Sequence, residues 1–156
     1  MNKLDAKVFH QLSYGVYIVT SVIDGYKVGC VANSIMQVTS NPSTIVVSLH
    51  HQNYTNETLR KTRKFAISIL PETIQQEVIG IFGFNSSKTM DKFLNVRYQL
   101  INEMPIIQDA CGYMICEIEQ IVETTTHTLF LARVIEGEIL NDLPVMTYAY
   151  YHKIIR

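Results

Sequence analysis

Residues 16–31 read VYIVTSVIDGYKVGCV, and this stretch decides the fold class. Two runs rich in β-branched residues, at 16–23 and 26–31, are separated only by Asp24-Gly25. An Asp-Gly pair between two such runs is a strong signal for a tight β-hairpin, because both turn residues must adopt positive φ. The chain is therefore predicted to begin its core with two paired antiparallel strands.

The rest of the chain continues this β-rich pattern. Further strands are predicted at 43–49 (STIVVSL), 65–70 (FAISIL), 112–122 and 128–140. Short helices are predicted over 5–13, over 55–61 with Thr55 as the N-cap, and over 72–84, with an irregular segment at 85–95. Six or seven contiguous strands with two or three short helices favour an antiparallel barrel or an α+β sandwich over a doubly wound parallel sheet.

Length, composition and charge narrow the functional classes. The 156 residues suit a single domain spanning 1–156. A net charge of −1 argues against a generic binder of nucleic acid or membrane surfaces. Apolar residues make up 47% of the chain and charged residues only 17%, so apolar surface is expected at an oligomer interface or around a cofactor. No signal peptide or bilayer-spanning run is recognised, so a cytoplasmic location is expected.

Several common catalytic and cofactor-binding motifs are missing from the sequence. The three cysteines, Cys30, Cys111 and Cys116, form no CxxC pair and are expected to be buried free thiols. The seven glycines build neither GxGxxG nor GxxxxGK[ST], which excludes the Rossmann and P-loop fingerprints. The five histidines contain no helical i, i+4 pair, so no metal site is predicted.

Three polar segments interrupt the apolar strands and are candidates for a binding site. They are 32–34 (ANS), 38–42 (VTSNP) and 53–58 (NYTNET), the last followed by Arg60, Lys61, Arg63 and Lys64. Hydroxyls and backbone N–H groups at a helix N-terminus beside basic residues make a phosphate site. The alternative is a plain turn and helix cap with a solvated basic face. Polar loops between barrel strands would also suit a planar heteroaromatic ring that needs hydrogen bonds along one edge.

The same segments resemble the flavin reductase-like, FMN-binding split-barrel family. The resemblance rests on 15–20 (GVYIVT), the Asp24-Gly25 turn, 31–34 leading into 38–42, 53–58, 65–70, FGF at 82–84 through Lys88, Asp91, Lys92 and Phe93, and 127–131 (HTLFL) leading into Gly137. The tail at 144–152 (PVMTYAYYH) is most similar to the branch that includes flavoredoxin and the flavin domain of high-molecular-weight rubredoxin. The family implies a mainly β fold, a six-stranded antiparallel Greek-key split barrel, in a homodimer with FMN near the interface.

The resemblance also implies a set of cofactor-binding residues. Groups along the flavin ring would be the side chains of Asn33 and Ser34, with Ala32 beside them, and the backbone of Val38, Thr39 and Ser40. Groups around the ribityl chain and phosphate would be Asn53, Thr55 and Thr58, with Lys88 and Lys92 as anion partners. His127 would position the flavin or the nicotinamide, and Phe82 and Tyr151 would stack on cofactor or substrate, with core packing as the alternative for Phe82.

By this resemblance the chain is expected to be an NAD(P)H-dependent FMN oxidoreductase of the flavin reductase type. Hydride would pass from the nicotinamide C4 to flavin N5, and electrons would pass onward to rubredoxin or another acceptor. The chain reaches Arg156 without paired CxxC segments, so any rubredoxin partner is expected to be a separate protein. Two alternatives remain open: an FMN-binding electron carrier that does not itself use a nicotinamide, and a non-redox split-barrel protein for another planar ligand such as haem.

Overall fold

The computed structural model describes residues 3–155, which form a 3-10 helix, three α-helices and nine strands. The 3-10 helix covers Ala6–Gln11, and the α-helices are α1 (Tyr54–Thr62), α2 (Gln76–Phe84) and α3 (Tyr148–Ile155). The strands are β1 (Tyr17–Ile23), β2 (Tyr26–Ala32), β3 (Ile35–Ser40), β4 (Ser43–His50), β5 (Lys64–Ile69), β6 (Tyr98–Ile101), β7 (Met104–Ile107), β8 (Gly112–Glu123) and β9 (His127–Ile139). The fold is mainly β, as predicted.

The β1–β2 hairpin forms where the Asp-Gly pair predicts it. β1 pairs antiparallel with β2 over its whole length. Asp24 and Gly25 both have positive φ, 50° and 82°, which matches the twist of the flanking strands. Because the turn sets the register, it also decides that Cys30 and Ala32 face inward.

Seven strands form one antiparallel sheet in the order β2-β1-β5-β8-β9-β4-β3. The two edge strands, β2 and β3, are consecutive in the chain and are joined by Asn33 and Ser34 alone. Two residues reach only about 7 Å, so the sheet must curl until the end of β2 meets the start of β3. The result is a barrel that is open along the seam between these two strands.

The interior of the barrel is filled by apolar side chains from most of its strands and from α1. One buried cluster includes Val19, Cys30, Val47, Leu59, Phe65, Cys116 and Phe130. Full burial of a large apolar side chain contributes about 1.5–3 kcal/mol, so this core drives the closure of the sheet. All three cysteines are buried and unpaired, which confirms that prediction.

The helices α2 and α3 pack on the outer face of β1. Val19 faces the barrel core, while its neighbour Ile18 faces a second buried cluster outside it, which includes Phe82 of α2. The ring of Tyr148 in α3 packs against this second cluster. Tyr148 N donates to Tyr14 O over 2.8 Å, which ties α3 to the N-terminal segment.

The strand count differs from the six strands expected from the resemblance. β3 is the extra strand, and it lies at the edge of the sheet, where it pairs with β4 alone. All its side chains are at least partly exposed, so its sequence lacks the pattern of a buried strand. A separate hairpin, β6–β7, turns at Asn102-Glu103, where both residues have positive φ. Pro105 within this hairpin weakens its strand signal.

Three helix predictions also need correction. Asn53, not Thr55, is the N-cap of α1, because the Asn53 side chain accepts a hydrogen bond from Thr55 N over 2.9 Å. α2 begins at Gln76, four residues later than predicted, after a turn in which Ile74 N donates to Pro71 O. The N-terminal helix is a 3-10 helix with no buried residue rather than a packed amphipathic helix. No helix in the described residues 3–155 has the length and apolar character needed to cross a bilayer.

Candidate functional site

The junction between β2 and β3 places Asn33 and Ser34 at the open seam of the barrel. Ser48 N of β4 donates to Ser34 O over 3.0 Å, and Ser34 Oγ donates to Asn33 Oδ1 over 3.2 Å. Both side chains are half-buried, so the Asn33 amide keeps hydrogen-bonding capacity toward the space beside it. Ala32 is 7% exposed and belongs to the barrel core, so its methyl group faces away from that space.

Two cavities open beside this junction and share Ser13, Tyr14 and Thr147 among their lining residues. The larger, about 750 Å³, lies between the 3-10 helix and α3 and is lined by Asn33 and Ser34. The second, about 590 Å³, continues along the start of β3. Together they form one depression, the seam trough, whose volume suits a ligand of cofactor size.

Aromatic rings that the sequence does not mark as site residues line the seam trough. The rings of Tyr14 and Tyr148 meet edge to face with 6.2 Å between their centroids. The ring of Tyr148 in turn meets the imidazole of His152 at 4.3 Å. Tyr14 comes from the start of the chain and Tyr148 and His152 from its end, so they meet only in the folded protein. In the sequence, the aromatic run at 148–152 is the feature that could have pointed to this part of the site.

The predicted ring-edge residues Val38, Thr39 and Ser40 lie on exposed edge strand β3. Thr39 Oγ1 lies 2.5 Å from Pro42 O and 2.6 Å from Thr44 Oγ1. Thr44 lines the seam trough, so residues 38–40 lie beside its far end. Four residues of strand place Val38 roughly 13 Å from Ser34, a separation within the reach of an extended flavin mononucleotide.

α1 follows the end of β4, the strand that is hydrogen-bonded to the junction, but none of residues 53–58 lines the seam trough. Thr55 is 1% exposed, and its Oγ1 has no nitrogen or oxygen partner among the described residues. The thiol of Cys30 lies beside it: burial raises the pKa of Cys30, while hydrogen bonding to Thr55 and Asn53 and the charge of Lys92 lower it. A thiol is only a weak hydrogen-bond partner, so the buried Thr55 hydroxyl is a candidate contact for a further polar group.

The basic side chain nearest in sequence to this helix start is already engaged. Arg60 Nε donates to Asn56 Oδ1 over 2.9 Å, and its guanidinium pairs with Glu123 at 2.5 Å. Hydrogen bonds from Arg60 and Thr128 lower the pKa of Glu123 to about 2. Arg60 therefore stabilises the contact of α1 with the β8–β9 end of the barrel, and it is not free to meet an anion as the sequence suggested.

Three predicted cofactor contacts lie in the interior instead. Thr58, Phe82 and Lys92 are 1%, 1% and 2% exposed. Thr58 Oγ1 donates to Tyr54 O over 3.1 Å, and Lys92 Nζ donates to Gly29 O over 2.7 Å and to Phe82 O over 3.1 Å. Burial lowers the pKa of Lys92. The polar groups of Thr58 and Lys92 are already hydrogen-bonded within the protein and the ring of Phe82 is packed in a buried cluster, so these side chains stabilise the elements around the site.

The remaining predicted residues are spread over three places. His127 begins β9 opposite His50, the two imidazoles meet edge to face at 5.1 Å, and neither ring lines the seam trough. Tyr151 is half-buried against the cluster that includes α2 and does not line the seam trough. Lys88 is exposed in the segment 85–95 and lines a separate cavity.

Comparison with known proteins decides the family. A model of the flavin reductase like domain matches residues 9–156. The chain belongs to the flavin reductase-like family. Among its relatives in that family, a high molecular weight rubredoxin of Moorella thermoacetica is 38% identical over 155 residues, which cover 98% of this chain and 68% of that protein. A ferric-chelate reductase (NAD(P)H) of Archaeoglobus fulgidus is 36% identical over 151 residues, which cover 96% of this chain and 89% of that protein.

A solved structure from the same family shares the fold. The NADH:FAD oxidoreductase SgcE6 of Streptomyces globisporus superposes with a TM-score of 0.83 at 25% identity, covering 94% of this chain and 92% of that one. The family resemblance and the split-barrel fold class predicted from the sequence are therefore confirmed. The residue roles within the site remain predictions.

Proposed function

We propose that this chain is an FMN-dependent NAD(P)H:acceptor oxidoreductase of the flavin reductase type. The observation that carries the proposal is the seam trough, in which Asn33 and Ser34 open onto an aromatic-walled cavity of about 750 Å³. A chain of this family with such a trough has the shape and the polar groups for a planar redox cofactor. The relative named as an NAD(P)H ferric-chelate reductase supports a nicotinamide electron donor.

The residues present fit a flavin mononucleotide. Asn33 and Ser34 would supply hydrogen bonds for the polar edge of the ring, and the backbone of residues 38–40, which line neither cavity, would extend that edge along β3. The N-terminus of α1 supplies backbone N–H groups for the phosphate. The Thr55 hydroxyl, which has no nitrogen or oxygen partner among the described residues, would complete its hydrogen bonding to the phosphate there. Bound FMN supplies hydride acceptance and onward electron transfer.

The chain's own residues position the reactants. Tyr14 and Tyr148 wall the seam trough and keep water from one face of the ring. His127, which pairs with His50 at the start of β9, would position the flavin or the nicotinamide, as the family resemblance implies. Hydride transfer depends on alignment of donor and acceptor rather than on a general base, so the site needs no acid–base pair.

Titration of the flavin-free protein with FMN tests the placement of the ring. Replacing Asn33 by Ala should weaken FMN binding about 5- to 150-fold, because a buried polar contact is lost. Gln99→Ala removes an exposed amide on β6, outside the site, and serves as the matched control. If Asn33→Ala binds FMN as tightly as Gln99→Ala, the ring does not lie at the junction.

A rubredoxin or a similar small redox protein is the proposed electron acceptor. The support is the relative of Moorella thermoacetica, which is named as a high molecular weight rubredoxin and is 68% covered by this chain. Reduction of added rubredoxin by NADH through this protein is the test, and a cytoplasmic location, predicted from the sequence, suits both reactants. Flavin reduction by NADH without any electron transfer to rubredoxin would remove this acceptor class.

A homodimer is the proposed assembly, and exposed apolar side chains support it. Val8, Phe9 and Leu12, around the 3-10 helix, are 53%, 51% and 56% exposed, and Val145 is 53% exposed. Stable interfaces bury roughly 800 Å² on each partner, and a monomer would leave these side chains in water. Light scattering should give twice the chain mass, and Phe9→Ser should weaken the dimer.

A further inference from the structure

A polar cavity outside the seam trough lies where the β1–β2 hairpin, the end of α1 and the β6–β7 hairpin meet. Its volume is about 500 Å³, within the range of small-ligand sites. We call it the rim cavity; its lining residues include Val22 and Lys27 of the first hairpin, Lys64 at the start of β5, and Leu100 and Glu103 of the β6–β7 hairpin. None of these residues lines the seam trough, and none takes part in the function proposed above.

Hydrogen bonds fix the floor and one wall of the rim cavity. Ser21, which lines it, is 1% exposed; its Oγ donates to Lys64 O over 2.7 Å and lies 3.0 Å from Thr62 Oγ1. The β6–β7 hairpin is fastened to β1 by the buried Thr20, whose Oγ1 donates to Pro105 O over 2.8 Å. The rim cavity is therefore built by the packing of the elements around it, which hold its polar and apolar groups in place.

Two lysines of the rim cavity lack an anionic partner among the described residues. Both are half-buried, and neither Lys27 nor Lys64 forms an ion pair with a residue that the structure describes. Lys27 Nζ lies 5.3 Å from the centre of the Tyr98 ring, which holds the ammonium in place but leaves its charge. Glu117, the residue opposite Lys64 on β8, is paired with Arg133 at 3.7 Å instead. A partly buried charge is costly unless it is paired, so a bound anion would stabilise both ammonium groups.

The other lining residues decide what kind of anion fits the rim cavity. Val22, Leu100 and Met104 supply apolar surface, and Leu100 is 57% exposed. An inorganic anion would leave this leucine in water, whereas an aliphatic chain would cover it. Glu103, the one carboxylate among the described lining residues, forms no ion pair with either lysine, and the two lysines leave the cavity with a net positive charge. We propose that the rim cavity binds a small aliphatic carboxylate, with its carboxylate at the two lysines and its chain on the apolar surface.

Titration of the whole isotope-labelled protein with hexanoate, followed by NMR, tests the proposal. The backbone amide signals of Gly25 and Asn102 report on the rim cavity, since both residues line it. Lys27→Gln and Lys64→Gln should each weaken hexanoate binding about tenfold, because each removes one charge-assisted hydrogen bond. Lys61→Gln removes an exposed lysine of α1 outside the cavity; it is the matched control and should bind hexanoate like the wild type. No saturable shift of these signals, or equal affinity in all three variants, would overturn the proposal.

Two further comparisons distinguish an aliphatic carboxylate from other ligands. Glu103→Gln should tighten hexanoate binding, because it removes a negative charge from the cavity wall; weaker binding would contradict an anionic ligand. Each CH₂ group that the cavity buries should tighten binding about fourfold, so affinity should rise from acetate to hexanoate, and Leu100→Ser should flatten this rise. Inorganic phosphate that binds as tightly as hexanoate would indicate a plain anion site and overturn the proposal. None of these titrations depends on a flavin, so their failure leaves the proposed function in place.

Discussion

Replacing Thr55 by Val should stabilise the flavin-free protein and at the same time weaken flavin binding. The Thr55 side chain is 1% exposed, and its hydroxyl has no nitrogen or oxygen partner among the described residues; only the Cys30 thiol, a weak partner, lies beside it. Valine has nearly the same shape as threonine and lacks the buried hydroxyl. The helix cap remains, because Thr55 donates to Asn53 Oδ1 through its backbone N–H. The cost of an unsatisfied buried hydroxyl is about 1–3 kcal/mol. Recovery of about 1 kcal/mol would raise Tm by roughly 2–4 °C in a chain of this size.

The same substitution should have the opposite effect on flavin binding. If the Thr55 hydroxyl completes its hydrogen bonding to the flavin phosphate, its removal should raise the Kd for FMN about 5- to 150-fold. Saturating FMN should accordingly raise Tm less in the variant than in the wild type, because ligand stabilisation depends on the ratio of free ligand to Kd. Denaturant unfolding of the flavin-free protein and fluorescence titration with FMN measure the two effects separately.

Thr58→Val on the same helix provides the contrast for the stability measurement. Thr58 is also 1% exposed, but its hydroxyl donates to Tyr54 O over 3.1 Å. Its removal should lower the free energy of unfolding by about 1 kcal/mol. A Thr55→Val variant that loses stability as Thr58→Val does would show that the Thr55 hydroxyl is satisfied in the flavin-free protein. An unchanged Kd for FMN would show that this hydroxyl does not meet the flavin.

Three other outcomes are expected. His127→Ala should lower the rate of flavin reduction by NADH more than it changes FMN affinity, and an unaltered rate in stopped flow would make His127 a structural residue. Hydrogen bonds from Arg60 and Thr128 lower the pKa of Glu123 from 4.5 to about 2, so the stabilising effect of this carboxylate is complete above pH 4.5 and is lost as pH falls toward 2. Glu123→Gln should flatten this part of the curve of stability against pH. Parallel curves for the variant and the wild type would refute this role of Glu123. Lys92→Met removes the side-chain donor to Phe82 O, while Gly29 O keeps Ser87 Oγ as a donor, so the free energy of unfolding should fall by about 1–3 kcal/mol. Because burial lowers the pKa of Lys92, wild-type stability should also rise with pH above that lowered pKa, up to the ordinary lysine value, and the variant should lack this slope.

The parts of the fold with strong local signals were predictable from the sequence. The Asp24-Gly25 turn places two positive-φ residues between β-branched runs, and the apolar run of β4 predicts a strand whose inner positions are all buried or half-buried. The edge strand β3 was not predictable in this way, because its exposed side chains carry no alternating pattern and its pairing depends on backbone contacts with β4. The N-cap of α1 was misplaced because Asn53 and Thr55 are both good capping residues and only the backbone geometry separates them.

The site was predictable only where neighbouring residues in the chain form it. Asn33 and Ser34 are adjacent in sequence and form the two-residue junction, so the sequence alone places them together. Tyr14 and Tyr148 come from opposite ends of the chain, and no local pattern brings them together. A lysine in a polar, irregular segment is normally exposed; the burial of Lys92 depends on the distant carbonyl of Gly29, which the sequence does not reveal.

The measurement that tests the central claim most directly is the visible spectrum of the purified protein, followed without oxygen after NADH is added. The account predicts flavin absorption bands, present on purification or after incubation with FMN, that bleach within seconds of mixing. Flavin bands that persist in NADH and NADPH, and bleach only with dithionite or a reduced partner protein, would contradict the claim of nicotinamide-dependent reduction. A protein that takes up no flavin even from excess FMN would contradict the assignment of the seam trough as a cofactor site.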